Sequence, residues 1–262
     1  MGTMSRTIPC ATWLMCTNRD DALLHRAISS CLAQTVQDFE LVIVANGIQQ
    51  QALVESLKKT YGTDPRVVVI GTSVRLLNFA LNLGLHVARA PLVARMDADD
   101  VAMPNRLAIQ LAYFDQRPKL AVLGSAYRLI DACDSDHGIV KLPILHNEIR
   151  KAFFFGNPIC HPSVMLRRNV VLELGGYLGG QNAEDYDLWL RILMEEKWEI
   201  ENLADPLISY NVEPNGAARR SLRAYANVAA AQWRNFIVTR DPRWMFGAIW
   251  TSAKSAVRAN QA

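Results

Sequence analysis

Pro91-Leu92-Val93-Ala94-Arg95-Met96-Asp97-Ala98-Asp99-Asp100 is the stretch on which the reading of the chain turns. A mainly apolar run passes without a break into three carboxylates within four positions. Pro91 to Met96 reads as a strand that runs straight into the acidic cluster. Carboxylates crowded at its end repel one another and cost stability unless a cation neutralises them. Hard divalent cations (Mn²⁺ or Mg²⁺) prefer such oxygen ligands and often complete their shell with substrate phosphates. A blander reading stays open beside this one, in which Asp99 or Asp100 caps a helix starting near Pro104.

The segments before this run alternate in period. Ala11 to Cys16 is a short apolar strand, and Asp20 to Gln34 carries Leu23, Leu24, Ala27, Ile28, Cys31 and Leu32 at helical spacing, with Asp20 or Asn18 as N-cap. Phe39 to Val44 is a strand ending at the turn signal Asn46-Gly47. Gln50 to Tyr61 reads as a helix, Arg66 to Ile70 as a strand and Leu76 to Ala88 as a helix. Such alternation predicts an α/β fold with a mostly parallel sheet and helices on both faces. Ligands then gather at the carboxyl ends of the strands, just where Asn46 and Asp97 fall. Further on, Pro104 to Gln116 is a predicted helix, Leu120 to Ile130 a strand, Asp131 to Gly138 a polar loop and His161 to Gly180 loop-rich. Glu184 to Lys197 and Ala217 to Val238 read as helices, the latter leading into a tail bearing tryptophan and arginine.

The chain of 262 residues is 50% apolar and 20% charged, which suits a globular protein with a real core and excludes disordered and collagen-like classes. Its net charge of +3 gives no reason to expect nucleic acid as a partner. The charge is unevenly placed, however: eight basic residues and the single acid Asp241 lie beyond residue 216. Five cysteines without CxxC spacing argue against a disulfide framework and suit a reducing cytoplasm. Ile8 to Cys16 lacks the features of a signal peptide, and no apolar run is long enough to span a bilayer.

A second acidic cluster, Glu184-Asp185-Tyr186-Asp187-Leu188-Trp189, opens a predicted helix after a Gly-rich stretch. Acids at a helix start are favoured by the macrodipole, so plain capping is one reading and a carboxylate poised over a bound sugar the other. Over residues 10 to 215 the chain resembles the inverting family 2 glycosyltransferases of the GT-A fold, a Rossmann-like architecture. The resemblance rests on Thr17-Asn18-Arg19, Leu32-Ala33-Gln34-Thr35, Asp38 to Val44, Ala94 to Asp100, Pro104-Asn105-Arg106-Leu107, His161-Pro162-Ser163-Val164-Met165, Gly175-Gly176-Tyr177 and Glu184 to Trp189.

That resemblance implies a donor that is a nucleoside-diphosphate sugar, with UDP the expected nucleotide, bound by the DxD run. Asp99 is then the metal-contacting acid and Asp97 lies near the ribose. Thr17, Arg19, Asn46, Arg75, Arg95 and Arg106 are the other donor-side candidates, the last two with the alternative task of holding acids in place. Asp185 matches the catalytic base, with Asp187 in reserve, and His161, Glu184 and Trp189 fall on the acceptor side. The expected acceptor is a glycan or lipid-linked hydroxyl of a bacterial surface polysaccharide.

Three positions depart from the family pattern. Ala45-Asn46 replaces a pair of aspartates, the first of which reads uracil in relatives; Asn46 can still donate and accept hydrogen bonds. The usual Asn-x-Gly is absent around Val74 to Leu76, leaving Arg75. Glu213 stands where relatives carry a histidine, so it is a further candidate metal ligand. Residues 1–216 are expected to form the catalytic domain and 217–262 a basic, aromatic-rich helical extension. Trp233, Phe236, Trp244, Phe246 and Trp250 among its arginines suit either an anionic membrane interface, on the inner face of the cell membrane, or ordinary packing on a core. Two competing classes are a non-catalytic sugar-nucleotide-binding or scaffolding protein and a nucleotidyltransferase. The latter would call for a Gly-rich phosphate loop that Thr17-Asn18-Arg19-Asp20 does not supply.

Overall fold

A computed structural model describes residues 7–180, 182–212 and 222–259 of the chain. The alternating first half forms β1 (Ala11–Thr17), α1 (Ala22–Leu32), β2 (Phe39–Asn46), α2 (Gln50–Tyr61), β3 (Val67–Thr72), α3 (Leu77–Val87) and β4 (Leu92–Asp97). These four strands are wholly parallel, in the order β3-β2-β1-β4. Successive side chains of a strand point to opposite faces, so β1 and β2 feed two cores at once. Trp13, Met15, Leu41 and Ile43 pack with Leu24 and Ile28 of α1 on one side, while Leu14, Val42 and Val44 meet Ala80, Leu81 and Leu85 of α3 on the other. Gly84 lets α3 approach closely: a Cβ there would stand 2.1 Å from Leu14 Cδ1. The one acid inside β2, Glu40, is kept by bonds from Thr12 Oγ1 at 2.7 Å, Arg89 N at 2.6 Å and Arg89 Nε at 2.7 Å.

The second half comprises β5 (Val101–Ala102), α4 (Arg106–Asp115), β6 (Leu120–Ile130), β7 (Asp136–Val140), α5 (His146–Ala152), a 3₁₀ turn at His161–Ser163, β8 (Met165–Arg167), α6 (Arg168–Glu173), α7 (Glu184–Met194), β9 (Glu199–Asn211), α8 (Leu222–Thr239) and α9 (Pro242–Ala259). Strand β8 runs antiparallel between β4 and β6, β9 is parallel to β6, and the sheet continues to β5, with β7 hydrogen-bonded to β6 off this path. Helices α8 and α9 pack on each other, with Thr251 Oγ1 donating to the buried Gln232 at 2.8 Å, and against the α3- and α7-side core through Val228, Ala231 and Trp244.

Several boundaries differ from the sequence reading. The cap of α1 is Asp21, which accepts from Leu24 N at 2.9 Å, in place of Asp20 or Asn18. Part of the expected loop 131–138 is strand, because β7 is an exposed edge whose polar residues carry no burial pattern. The loop-rich stretch 161–180 hides the 3₁₀ turn, β8 and α6, and α7 stops at Met194, short of Lys197. The tail beyond residue 238 is a full helix, α9. Among the described residues no helix is long and apolar enough to cross a membrane.

Candidate active site

Thr17, Asn46 and Asp97 end three neighbouring strands, β1, β2 and β4. The sheet order reverses between β1 and β4, which opens a crevice at their carboxyl ends. The Thr17 hydroxyl donates to Arg19 O at 2.9 Å and shapes the turn that carries Arg19 forward. From there the Arg19 guanidinium reaches Asp99 Oδ2 at 3.1 Å and Asp21 at 3.1 Å. Beyond β2, Gly47 adopts φ +104°, a conformation that side chains resist, and the Arg75 stem lies across it, 3.9 Å from where a Cβ would stand. Thr17, Arg19, Asn46, Arg75, Asp97 and Asp99 therefore lie along one edge, at the carboxyl ends of β1, β2 and β4.

The three acids of the run meet different surroundings. Asp97 pairs with Arg95, which is 4% exposed. Burial alone would lower the Arg95 pKa, but the charge of Asp97 and the bond to it outweigh burial and raise it. One guanidinium nitrogen, Nη1, is buried without a hydrogen-bond partner. The Asp99 carboxyl is pushed up by burial and by Asp97, with Arg19 opposing. Asp100 is 1% exposed and raised well above the ordinary carboxylate range by burial and by Asp97; its Oδ1 accepts from Asn211 N at 2.9 Å and ties β4 to the end of β9.

No trio of metal-ligating side chains occurs among the described residues. Asp99 nonetheless offers a partly exposed carboxylate whose charge is balanced by a solvent-exposed arginine rather than by a buried partner. Such a donor set fits a divalent cation held by one or two carboxylates and completed by substrate phosphates. Glu213, the other expected ligand, lies outside the described residues.

A cleft of about 290 Å³ opens beside Asp97 and is lined by residues from both halves of the sheet. Arg95 and Asp97 form one wall; Asn157, Glu184 and Asp185 face into the same space, with Tyr127, His161 and Tyr210 between them. Helix α7 presents its acidic first turn here, an arrangement its macrodipole favours. Asp185 Oδ2 accepts from Asn157 Nδ2 at 2.7 Å. Glu184 is raised by burial and by the Asp185 charge, while its Oε2 accepts from Ala183 N at 3.1 Å. His161 is held 3.0 Å from Tyr177 Oη, and burial together with Arg95 lowers its pKa well below the usual value. The Cys160 thiol is driven up by burial and Asp100, so it is no nucleophile at neutral pH.

Three expected site residues sit elsewhere. Arg106 is 0% exposed, and its guanidinium donates to the carbonyls of Pro162, Arg95 and Val164 at 2.9, 2.9 and 3.1 Å. It also stacks 4.8 Å from the Trp13 ring, so it braces the chain under the acids and does not reach the donor. Asp187 points away from the cleft into a clasp with Arg191 at 2.8 Å and Arg234 of α8 at 2.6 Å, which removes it as a reserve base. Trp189 is 0% exposed and packs edge-on against His161 from within the core, so it does not contact the acceptor. Conversely, Asn157, Tyr127 and Tyr210 line the cleft and were not singled out by sequence. The Asn157-Pro158 turn signal four residues ahead of His161-Pro162 was the available clue.

The family model described as Glycosyl transferase family 2 matches residues 12–175. The O-antigen biosynthesis glycosyltransferase WbnJ of Escherichia coli is 34% identical over 256 residues, covering 97% of this chain and 99% of that protein. An E. coli protein named UDP-Gal:alpha-D-GlcNAc-diphosphoundecaprenol beta-1,3-galactosyltransferase is 26% identical over 206 residues, 78% of this chain and 74% of the other. Among solved structures, S. aureus TarS in complex with UDP superposes with a TM-score of 0.60 at 15% identity. That superposition covers 85% of this chain, which spans 65% of the TarS chain.

Proposed function

The chain belongs to glycosyl transferase family 2 and is a glycosyltransferase, and we propose that it moves a hexosyl or N-acetylhexosaminyl group from a UDP-sugar to a hydroxyl of a lipid-linked surface-glycan acceptor, with inversion. The observation that carries this reading is that Asp97 at the end of β4 and Asp185 in the first turn of α7 face one cleft. UDP as the leaving nucleotide is supported by the UDP-Gal relative and by the UDP complex of TarS.

In this reading Arg19, Arg75 and Thr17 line the diphosphate end, Asn46 meets the base edge, and Asp97 lies near the ribose. Asp99 would hold a divalent cation, Mn²⁺ or Mg²⁺, which when bound would supply positive charge to neutralise the departing phosphate. Asp185 takes the proton of the acceptor hydroxyl as its oxygen bonds to the anomeric carbon. The bond from that carbon to the UDP oxygen breaks on the opposite side, and one displacement gives inversion. His161, kept neutral, and Glu184 shape the acceptor side. Residues 1–216 form the catalytic unit in this scheme, 217–262 the extension, and the protein works in the cytoplasm against the inner membrane face.

Thermal unfolding with a panel of UDP-sugars, with and without Mn²⁺, and hydrolysis of the same donors test the assignment. Asp99→Asn is expected to abolish the metal-dependent shift. Asp185→Asn is expected to keep that shift and lose transfer by on the order of 10²–10⁴-fold. Full transfer by Asp185→Asn would remove it as the base.

A further inference from the structure

Asn157 has no part in the chemistry described above, yet it makes a short, charge-assisted contact with the proposed base. Its Nδ2 donates to Asp185 Oδ2 at 2.7 Å, and its Oδ1 accepts from Ile159 N at 3.1 Å. The second bond decides which end of the amide faces the carboxylate. Flipping the amide would break both bonds and set oxygen against oxygen.

The backbone around Asn157 is fixed from several sides. Before it, Phe153 O accepts from Tyr186 Oη at 2.6 Å, and Phe154 O accepts from Gln232 Nε2 at 3.1 Å. The Phe154 ring lies 4.3 Å from Trp244 of α9, centroid to centroid. After it, Pro158 O accepts from Asn202 Nδ2 at 3.1 Å. Tyr186 is the neighbour of Asp185 on α7, so one anchor joins the two partners' own segments. A loop so constrained keeps a donor in place, where a lone surface asparagine would not.

We infer that Asn157 is a positioning residue: its amide holds the Asp185 carboxylate in one orientation toward the acceptor and favours its ionised form. The inference rests on Asp185 being the base. A neutral donor does this without adding a second cation to a cleft that already contains Arg95. Among the described residues, the groups near the carboxylate include Glu184 on its own helix, Arg95 and Asp97 on β4, His161 on the 3₁₀ turn, Tyr177 after α6, and Tyr127 and Tyr210 across the cleft. Glu184 and Asp97 repel the Asp185 charge, which makes a hydrogen bond to the ionised form consequential.

The test uses the full chain with the UDP-sugar that the wild type hydrolyses or transfers. Asn157→Ala is expected to lower kcat on the order of 10²-fold, the effect of a misplaced reacting group, while the UDP-induced thermal shift and the donor KM stay unchanged. Asn157→Asp matches the asparagine in shape and sets two carboxylates together, so the acidic limb of its kcat/KM profile should move to higher pH. Asn157→Ser, which can still donate, is expected to recover part of the rate. Unchanged kcat in Asn157→Ala overturns the inference, as does a loss confined to donor KM. If Asn157→Ala unfolds, Asn157→Asp decides: an acidic limb that stays in place overturns it. When Asp185→Asn is inactive but Asn157→Ala is fully active, only this inference fails. When Asp185→Asn keeps full transfer, the reading of the site fails first.

Discussion

Arg95 and Arg106 flank the same acidic run, yet the fold gives them opposite tasks. Arg95 faces the cleft with a charge partner beside it, whereas Arg106 is spent on three backbone carbonyls beneath the sheet. Burial drives the Arg106 pKa down to about 10, without stripping its proton at neutral pH. Spacing along the chain marked both arginines but carried no information about which face each would take. The same holds for Asp185 and Asp187, two residues apart on a helix and therefore on different faces. His161 gives a prediction of its own. Its pKa is lowered by burial and Arg95 in the folded chain, while the unfolded chain takes up a proton below the ordinary 6.5. The unfolded state then binds more protons, so stability falls as pH drops through about 6.5, at a limiting slope of about 1.4 kcal/mol per pH unit. Glu184, Asp99 and Asp100, all raised, act in the opposite sense, and comparison with a variant cancels them. Urea unfolding of His161→Gln between about pH 7 and pH 5 should show a flatter dependence than the wild type. Parallel curves would mean that His161 already titrates normally in the folded chain.

Helix α7 shows how one element serves packing and chemistry together. Its first turn puts Glu184 and Asp185 in the cleft, while Asp187 is clasped by Arg191 and Arg234. Asp187→Asn keeps the shape of the clasp and removes its charge. It is expected to lower stability by roughly 1–3 kcal/mol, seen as a drop of several degrees in Tm, with kcat near that of the wild type. A loss of transfer as deep as that of Asp185→Asn, in a folded variant, would return Asp187 to the reaction. Strands β1 to β4 were legible in the sequence because burial on both faces leaves continuous apolar runs, and the helices between them because their apolar residues recur with period 3.6. Strand β9 escaped that logic: Asp205 and Pro206 interrupt it, and its register against β6 shifts around them. Short β8 has too few residues for any period to show, and edge strand β7 has too little burial.

Taken as a whole, the molecule joins a parallel first half to a mixed second half, with α8 and α9 packed on the core of the latter. That the first half is a parallel sheet could be read from alternation; its strand order β3-β2-β1-β4 and the insertion of β8 beside β4 depend on contacts between distant segments and left no trace in local pattern. Helices α8 and α9 expose Trp233, Ile237, Phe246, Ile249 and Trp250 beside Arg240, Arg243 and Lys254. Vesicles of phosphatidylglycerol and phosphatidylcholine should therefore co-sediment with the protein at low salt, and less at high salt or with phosphatidylcholine alone. Equal sedimentation with neutral vesicles would leave the basic residues without that role. The place of β8 has a further consequence, in the order of synthesis. Strand β4 is complete at Asp97, but the strand that covers its outer edge ends only at Arg167, so 70 residues must leave the ribosome in between. At roughly 5–20 residues per second, the nascent sheet waits about 4–14 s with an unpaired edge. That interval is when a growing chain is most open to pairing with a neighbour on the same message, and when a chaperone has the most to cover.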